Sequence, residues 1–179
     1  MILPKRLESS VQKAVFLDRD GVINIDKAYV SKIEDFEFCE GLFAALRVFQ
    51  KLGYLLIIVT NQSGIGRGYY TEKDFETLST WMKKKLLIEN IKIDALYHCP
   101  HAPEENCECR KPKSGMFKQA LKNFNIDMTN SWMIGDKKSD IEAAQGAGIL
   151  NTIFLGNAQN SEAKYCVNFL LDTINLIKK

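Results

Sequence analysis

Three nearly unbroken apolar runs, at residues 13–17, 54–59 and 131–134, each stop abruptly at polar or charged residues. They are too short for helices and do not alternate, so they predict strands of a parallel sheet buried on both faces. Shorter apolar runs at 95–98 and 151–155 predict two more strands. Between the strands, apolar positions recur at helical spacing. Leu42, Ala45, Leu46, Phe49 and Leu52 share one face of a helix predicted over 41–52, with Gly53 placed to end it. Thr71-Glu72-Lys73-Asp74 reads as a capping box opening a helix that turns Phe75, Leu78, Met82 and Leu86 inward and ends near Asn90. Further helices are predicted over 116–124 and 140–146, and a last short strand and helix over 165–177. Strands alternating with helices predict an α/β fold, a doubly wound and mostly parallel sheet with helices on both faces. Residues 22–40 form a long mixed connection, a length that points to a substrate-contacting segment. No repeat, low-complexity stretch or linker divides the chain, so a single domain over residues 1–179 is expected.

Composition narrows the function classes. A net charge of +2 gives no reason to expect nucleic acid or an anionic membrane as a partner. The densest basic run, Lys83-Lys84-Lys85, falls inside a helical pattern and reads as a solvated face. The first ten residues lack the apolar core of a signal peptide, and the run at 54–59 is too short to span a bilayer. Five cysteines without a secretory signal point to reduced thiols or metal ligands rather than a disulfide framework. A cytoplasmic monomer acting on a small molecule is expected.

The chemistry gathers where strands end. Asp18-Arg19-Asp20-Gly21 puts two carboxylates at the end of the first strand, where ligands bind in parallel α/β sheets. A divalent cation would relieve their repulsion and leave one acid for nucleophilic or acid–base work. Taken alone, the same residues equally make a solvated Asp-rich turn. Thr60 and Asn61, Arg110 and Lys111, and Asp136 and Asp140 add polar groups to the same edge. Together they can bind a cation, neutralise a phosphoryl group and attack phosphorus. Gly64-Ile65-Gly66-Arg67-Gly68 is not a dinucleotide loop, because Tyr69 stands where the third glycine belongs. A flexible turn over a phosphate is predicted there instead.

These motifs resemble the haloacid dehalogenase superfamily of aspartyl-phosphate phosphatases. Asp18-Arg19-Asp20-Gly21 matches its first motif, Thr60 the second, Lys111 the third, and the stretch from Gly135 to Asp140 the fourth. The resemblance implies that Asp18 is the nucleophile and that Asp20 carries protons to the leaving alkoxide and from water. It implies Mg²⁺ held by Asp18, Asp136 and the backbone carbonyl of Asp20, with Asp140 behind them. Thr60 and Lys111 would hold the phosphoryl oxygens. Asp26, Lys27, Ala28, Tyr29, Asn61, Gln62, Ser63, Arg110 and Lys137 would contact a sugar phosphate substrate, Arg110 offering a planar fork for a second phosphate.

Cys99, His101, Cys107 and Cys109 supply three thiolates and an imidazole within one short loop, residues 99–109. This set suits a tetrahedral Zn²⁺ with no open position, hence a structural ion. His98 lies out of register and reads as an ordinary strand-end histidine, and Cys39 and Cys166 as buried apolar thiols. The loop resembles that of the branch containing heptose 1,7-bisphosphate 7-phosphatases and histidinol-phosphatases, which have no large cap domain. The wording of the first two motifs favours the heptose bisphosphate, with histidinol phosphate as the alternative. A signalling receiver domain also phosphorylates an Asp beside Mg²⁺, Thr and Lys. Asp20, the acid that turnover requires, separates the two.

Overall fold

The structure is a computed structural model describing residues 10–157 and 162–178. All of the first ten residues except Ser10, read above for a leader, lie outside it. Six strands form one sheet: β1 (Ala14–Leu17), β2 (Leu55–Asn61), β3 (Ala95–Cys99), β4 (Trp132–Gly135), β5 (Asn151–Leu155) and β6 (Tyr165–Val167). Their order is β3-β2-β1-β4-β5-β6 and every pairing is parallel. The chain therefore starts in the middle and winds outward in both directions. This places the switch in strand order, and so the ligand crevice, at the carboxyl ends of β1, β2 and β4.

Helices cover both faces: α1 (Leu42–Lys51), α2 (Ser63–Gly66), α3 (Glu72–Ile88), α4 (Gly115–Asn123), α5 (Lys138–Gln145) and α6 (Thr173–Ile177). Successive β1 residues point to opposite faces, as the period of a strand requires. Val15 and Leu17 pack with Leu46 and Phe49 of α1 and with Leu78 and Met82 of α3. Ala14 and Phe16 pack with Phe117 of α4 and Ala143 and Ala144 of α5, the Phe16 and Phe117 rings 4.9 Å apart. Both faces of β1 are thus dry, which is why its sequence does not alternate. No inserted domain interrupts the sheet among the described residues.

Three segments differ from expectation. β2 runs on through Thr60 and Asn61, which pair with His98 and Cys99, so both residues are fixed by the ladder. The glycines after Ser63 do not make a loose turn. They form α2, where a Cβ on Gly64 would lie 2.1 Å from the Tyr70 ring and one on Gly66 would meet the Ala102 nitrogen at 2.7 Å. Close packing of α2 against Tyr70 and the cysteine loop, rather than a phosphate, explains those two glycines. The connection 22–40 is a folded flap. Val22, Ile23, Val30 and Phe36 are buried in the α1/α3 core, Ile33–Asp35 is a 3₁₀ turn, and Asn24 bridges both Asp20 and Phe38. Cys166 is exposed rather than buried, because β6 is an edge strand and Cys166 faces opposite to Tyr165 and Val167.

Candidate active site

At the carboxyl end of β1, Asp18 is almost fully buried beside a buried lysine that arrives from residues 99–114. Lys111 Nζ donates to Asp18 Oδ1 at 2.8 Å and to the Val59 carbonyl at 2.7 Å, and pairs with Asp140 Oδ1 at 2.6 Å. Three oxygens thus surround the ammonium group. Burial alone would lower the lysine pKa, but Asp140 and Asp18 hold it raised. Burial pushes the Asp18 carboxyl up to about 7, with Lys111 pulling it down and Asp140 and Asp20 adding to the rise. Asp136, at the end of β4, is likewise raised by burial to about 6, partly offset by Lys137.

Asp136 Oδ1 is buried and has no hydrogen-bond partner. Oxygens of Asp18, Asp136 and Asp140 lie within 4.8 Å of one another. An orphaned buried carboxylate oxygen among other acids suits a hard divalent cation. Gly21 makes the close approach possible: its φ is +88°, and a Cβ there would sit 2.1 Å from Asp136 Oδ2. Asp140 is already engaged, since its Oδ2 accepts from the Lys137 backbone at 3.0 Å while its Oδ1 holds Lys111.

Asp20 is caged differently. Its carboxylate accepts from Arg19 Nε and Nη2 at 3.2 and 2.9 Å, from Asn24 Nδ2 at 3.0 Å and from Gln62 Nε2 at 3.0 Å. Gln62 Nε2 also donates to Thr60 Oγ1 at 2.8 Å, and Gln62 Oε1 accepts from the Tyr70 hydroxyl at 2.6 Å. Tyr70 thus fixes which way the Gln62 amide faces. Burial raises the Tyr70 pKa to about 12, so it stays a donor.

Asp20 opens onto a cleft of ≈ 350 Å³ lined also by Asp26, Ala28 and Tyr29 from the flap, Asn61, Gln62 and Ser63 from β2 and α2, and Tyr70, Arg110 and Lys137. Lys137 Nζ reaches Asp26 Oδ2 at 3.0 Å, which ties the β4 end to the flap. Burial would lower the pKa of Lys137, but Asp136 and Asp26 raise it.

Beside this cleft, Cys99, His101, Cys107 and Cys109 converge. The three sulfurs lie 3.2–3.4 Å apart, and His101 Nδ1 is 3.6 Å from Cys99 Sγ and 3.2 Å from Cys109 Sγ. Around a zinc ion with ordinary Zn–S bonds the sulfur edges would be about 3.7 Å. Burial lifts the Cys99 thiol. Burial also opposes ionisation of Cys107, yet contacts from Cys109, Cys99 and nearby backbone N–H groups outweigh it and bring that thiol down to about 7.

A family model described as HAD-hydrolase-like matches residues 108–171. The D-glycero-alpha-D-manno-heptose-1,7-bisphosphate 7-phosphatase of Campylobacter jejuni is 53% identical over 169 residues, covering 93% of this chain and 96% of that one. The D-glycero-beta-D-manno-heptose-1,7-bisphosphate 7-phosphatase of Helicobacter pylori is 52% identical over 147 residues, covering 82% and 85%. The chain belongs to the haloacid dehalogenase-like phosphatases. Among solved structures, D,D-heptose 1,7-bisphosphate phosphatase from B. bronchiseptica, complexed with magnesium and phosphate, superposes with a TM-score of 0.85 at 26% identity, covering 93% and 98%.

In this phosphatase the residues picked out by sequence fall into three groups. Asp18, Lys111 and Asp136 meet at the buried end of β1, and Thr60 joins Asp20 through Gln62. The cleft gathers every residue expected to contact substrate except Lys27, which points away and pairs with Glu37 at 3.0 Å. Asn61 and Gln62 line the cleft, yet their amides face the protein. Asn61 Nδ2 donates to the Lys111 carbonyl at 3.1 Å, and its Oδ1 accepts from the Lys111 nitrogen at 3.0 Å. His98 pairs with Glu72 at 2.5 Å and lies against the Phe75 ring, apart from the cluster of Cys99, His101, Cys107 and Cys109. Sequence reasoning gave no role to Arg19, Asn24 or Tyr70. Arg19 could have been flagged as a charge placed in a buried strand end; no periodicity or motif marks the other two.

Proposed function

We propose that this chain hydrolyses the 7-phosphate of D-glycero-D-manno-heptose 1,7-bisphosphate through an aspartyl-phosphate, as one domain with a zinc-stapled loop at residues 99–109. The observation that carries the chemistry is Asp18, a buried carboxylate gripped by Lys111 beside the orphaned oxygen of Asp136. The choice of sugar rests on relatives of 52–53% identity that carry that name. Asp18 attacks phosphorus, the ester P–O bond breaks, and Asp20 gives its proton to the departing sugar oxygen. Asp20 then takes a proton from the water that attacks the acyl phosphate, which releases inorganic phosphate and restores Asp18. Thr60 and Lys111 hold the phosphoryl oxygens, and Arg110 and Lys137 give the cleft its cationic lining for a second phosphate. Mg²⁺ would be held by Asp18, Asp136 and the Asp20 carbonyl, and would neutralise charge on the phosphoryl group. Zn²⁺ would fill the cysteine–histidine cluster and fix the loop that delivers Arg110 and Lys111. The test is phosphate release from each anomer of the heptose bisphosphate and from histidinol phosphate, with Mg²⁺. Preference for a heptose bisphosphate is expected, and a wide margin for histidinol phosphate would overturn the substrate reading while leaving the mechanism standing.

A further inference from the structure

The side chain between the two site aspartates is an arginine only 1% exposed, the largest of the fully buried side chains. A guanidinium removed from water needs a partner that repays its desolvation. Backbone bonds from Ile23 and Asn24 to the Arg19 carbonyl, at 2.8 and 3.0 Å, curl the chain so that Arg19 meets its own neighbour. Its Nε and Nη2 grip both oxygens of Asp20, and Nη2 also donates to the Val30 carbonyl at 2.8 Å. The guanidinium carbon lies over the Phe75 ring, 5.9 Å from its centre. Asn24, a second donor to Asp20, comes from the same flap as Val30. That flap carries Asp26, Ala28 and Tyr29 into the cleft.

We propose that Arg19 is a positioning residue that fixes the plane of the Asp20 carboxyl for proton transfer and ties it to the substrate-facing flap through Val30. The proposal rests on the reading of Asp20 as the proton carrier. A lysine at this position keeps the charge but is a point donor on a flexible stem, without the rigid planar fork that sets the plane of the Asp20 carboxyl.

Leaving-group chemistry separates positioning from mere stability. An alkyl phosphate needs a proton on its departing oxygen, whereas p-nitrophenyl phosphate expels a stable phenolate without one. Rapid-mixing experiments on Arg19→Lys and Arg19→Met, with Mg²⁺, compare the first turnover of p-nitrophenyl phosphate with that of heptose 1,7-bisphosphate or any other alkyl phosphate the unsubstituted protein accepts. The nitrophenolate burst is expected to stay within about threefold, and the alkyl phosphate step to slow by about 10²-fold. Equal slowing on both substrates, or none on the alkyl phosphate, would overturn the proposal. Asp20→Asn serves as the reference. If it slows both substrates alike, the proton-carrier reading falls and this proposal with it. If it slows only the alkyl phosphate while Arg19→Lys does not, this proposal alone falls.

Discussion

Asp18 and Asp20 stand two residues apart yet live in opposite surroundings. Asp18 is buried against a lysine and a second acid, while Asp20 takes four N–H donors and opens to the cleft. The division of labour we propose between nucleophile and proton carrier follows from that difference, because only the second opens to solvent-borne protons. Asp18→Asn leaves an amide oxygen to accept from Lys111, so the fold should survive and phosphate release should fall to background. A melting curve and a phosphate assay check both halves. Asn61 presents another case, since its amide makes a reciprocal pair of bonds with the Lys111 backbone across 50 residues of chain. Asn61→Ala strips partners from a partly buried N–H and C=O, at a cost of about 1–3 kcal/mol. It should also lower kcat more than it raises KM, because the lysine rather than a substrate contact is lost. A rise in KM alone would mean that Asn61 touches substrate directly. The residue types at the site were legible in the sequence because chemistry restricts them to strand ends. The bonds of Asn61 and Gln62 were not, because an amide bonds equally well to a ligand or to backbone and only the packed structure decides which.

Elements show why some of the fold could be read and some could not. Long periodic segments were recovered with ends moved by a residue or two, as for α1 and α3. The Thr71 capping box forms as expected, with Asp74 N donating to Thr71 Oγ1 at 3.2 Å and Thr71 N donating back to Asp74 Oδ2 at 2.8 Å. The internal order of the flap at 22–40 and the existence of α2 were not legible, for one reason. Both are ordered by contacts distant in sequence, the flap by the α1/α3 core and α2 by Tyr70 and the cysteine loop, and neither has a period of its own. The cysteine loop is the element with the largest functional reach, because Lys111 follows Cys109 by only two residues. The position of the lysine therefore depends on what holds the loop. Removing metal from the purified protein, followed by excess Mg²⁺, should leave phosphate release depressed and the melting temperature lowered, and adding back zinc should restore both. Metal analysis near one zinc per chain completes the measurement. Full activity at zero zinc would show that packing alone seats Lys111.

At the scale of the whole molecule, the edge of the sheet concentrates acids that the fold does not neutralise by itself. Folding carries Asp18 up to about 7 and Asp136 to about 6, in both cases chiefly through burial. A carboxyl with a raised folded-state pKa binds its proton more tightly folded than unfolded, so its contribution to stability is greatest at low pH. It declines as pH rises from about 4 toward 7. The lowered carboxyls Asp26, Asp74, Glu108 and Asp127 act in the opposite sense, only in the more acid range. Between pH 5.5 and 7.5, in Mg²⁺-free buffer, the melting temperature should therefore fall, by about 2–4 °C for each kcal/mol at this chain length. Mg²⁺ competes with protons for the same oxygens, so its stabilising effect should be large at pH 7.5 and fade below pH 6. Asp136→Asn removes one of the two titrating groups without adding charge, and should flatten the slope and weaken the response to Mg²⁺ together. A melting temperature that rises across this range and does not respond to the substitution would mean that these acids are already paired in the folded protein, and that the site does not depend on a cation for its balance of charge.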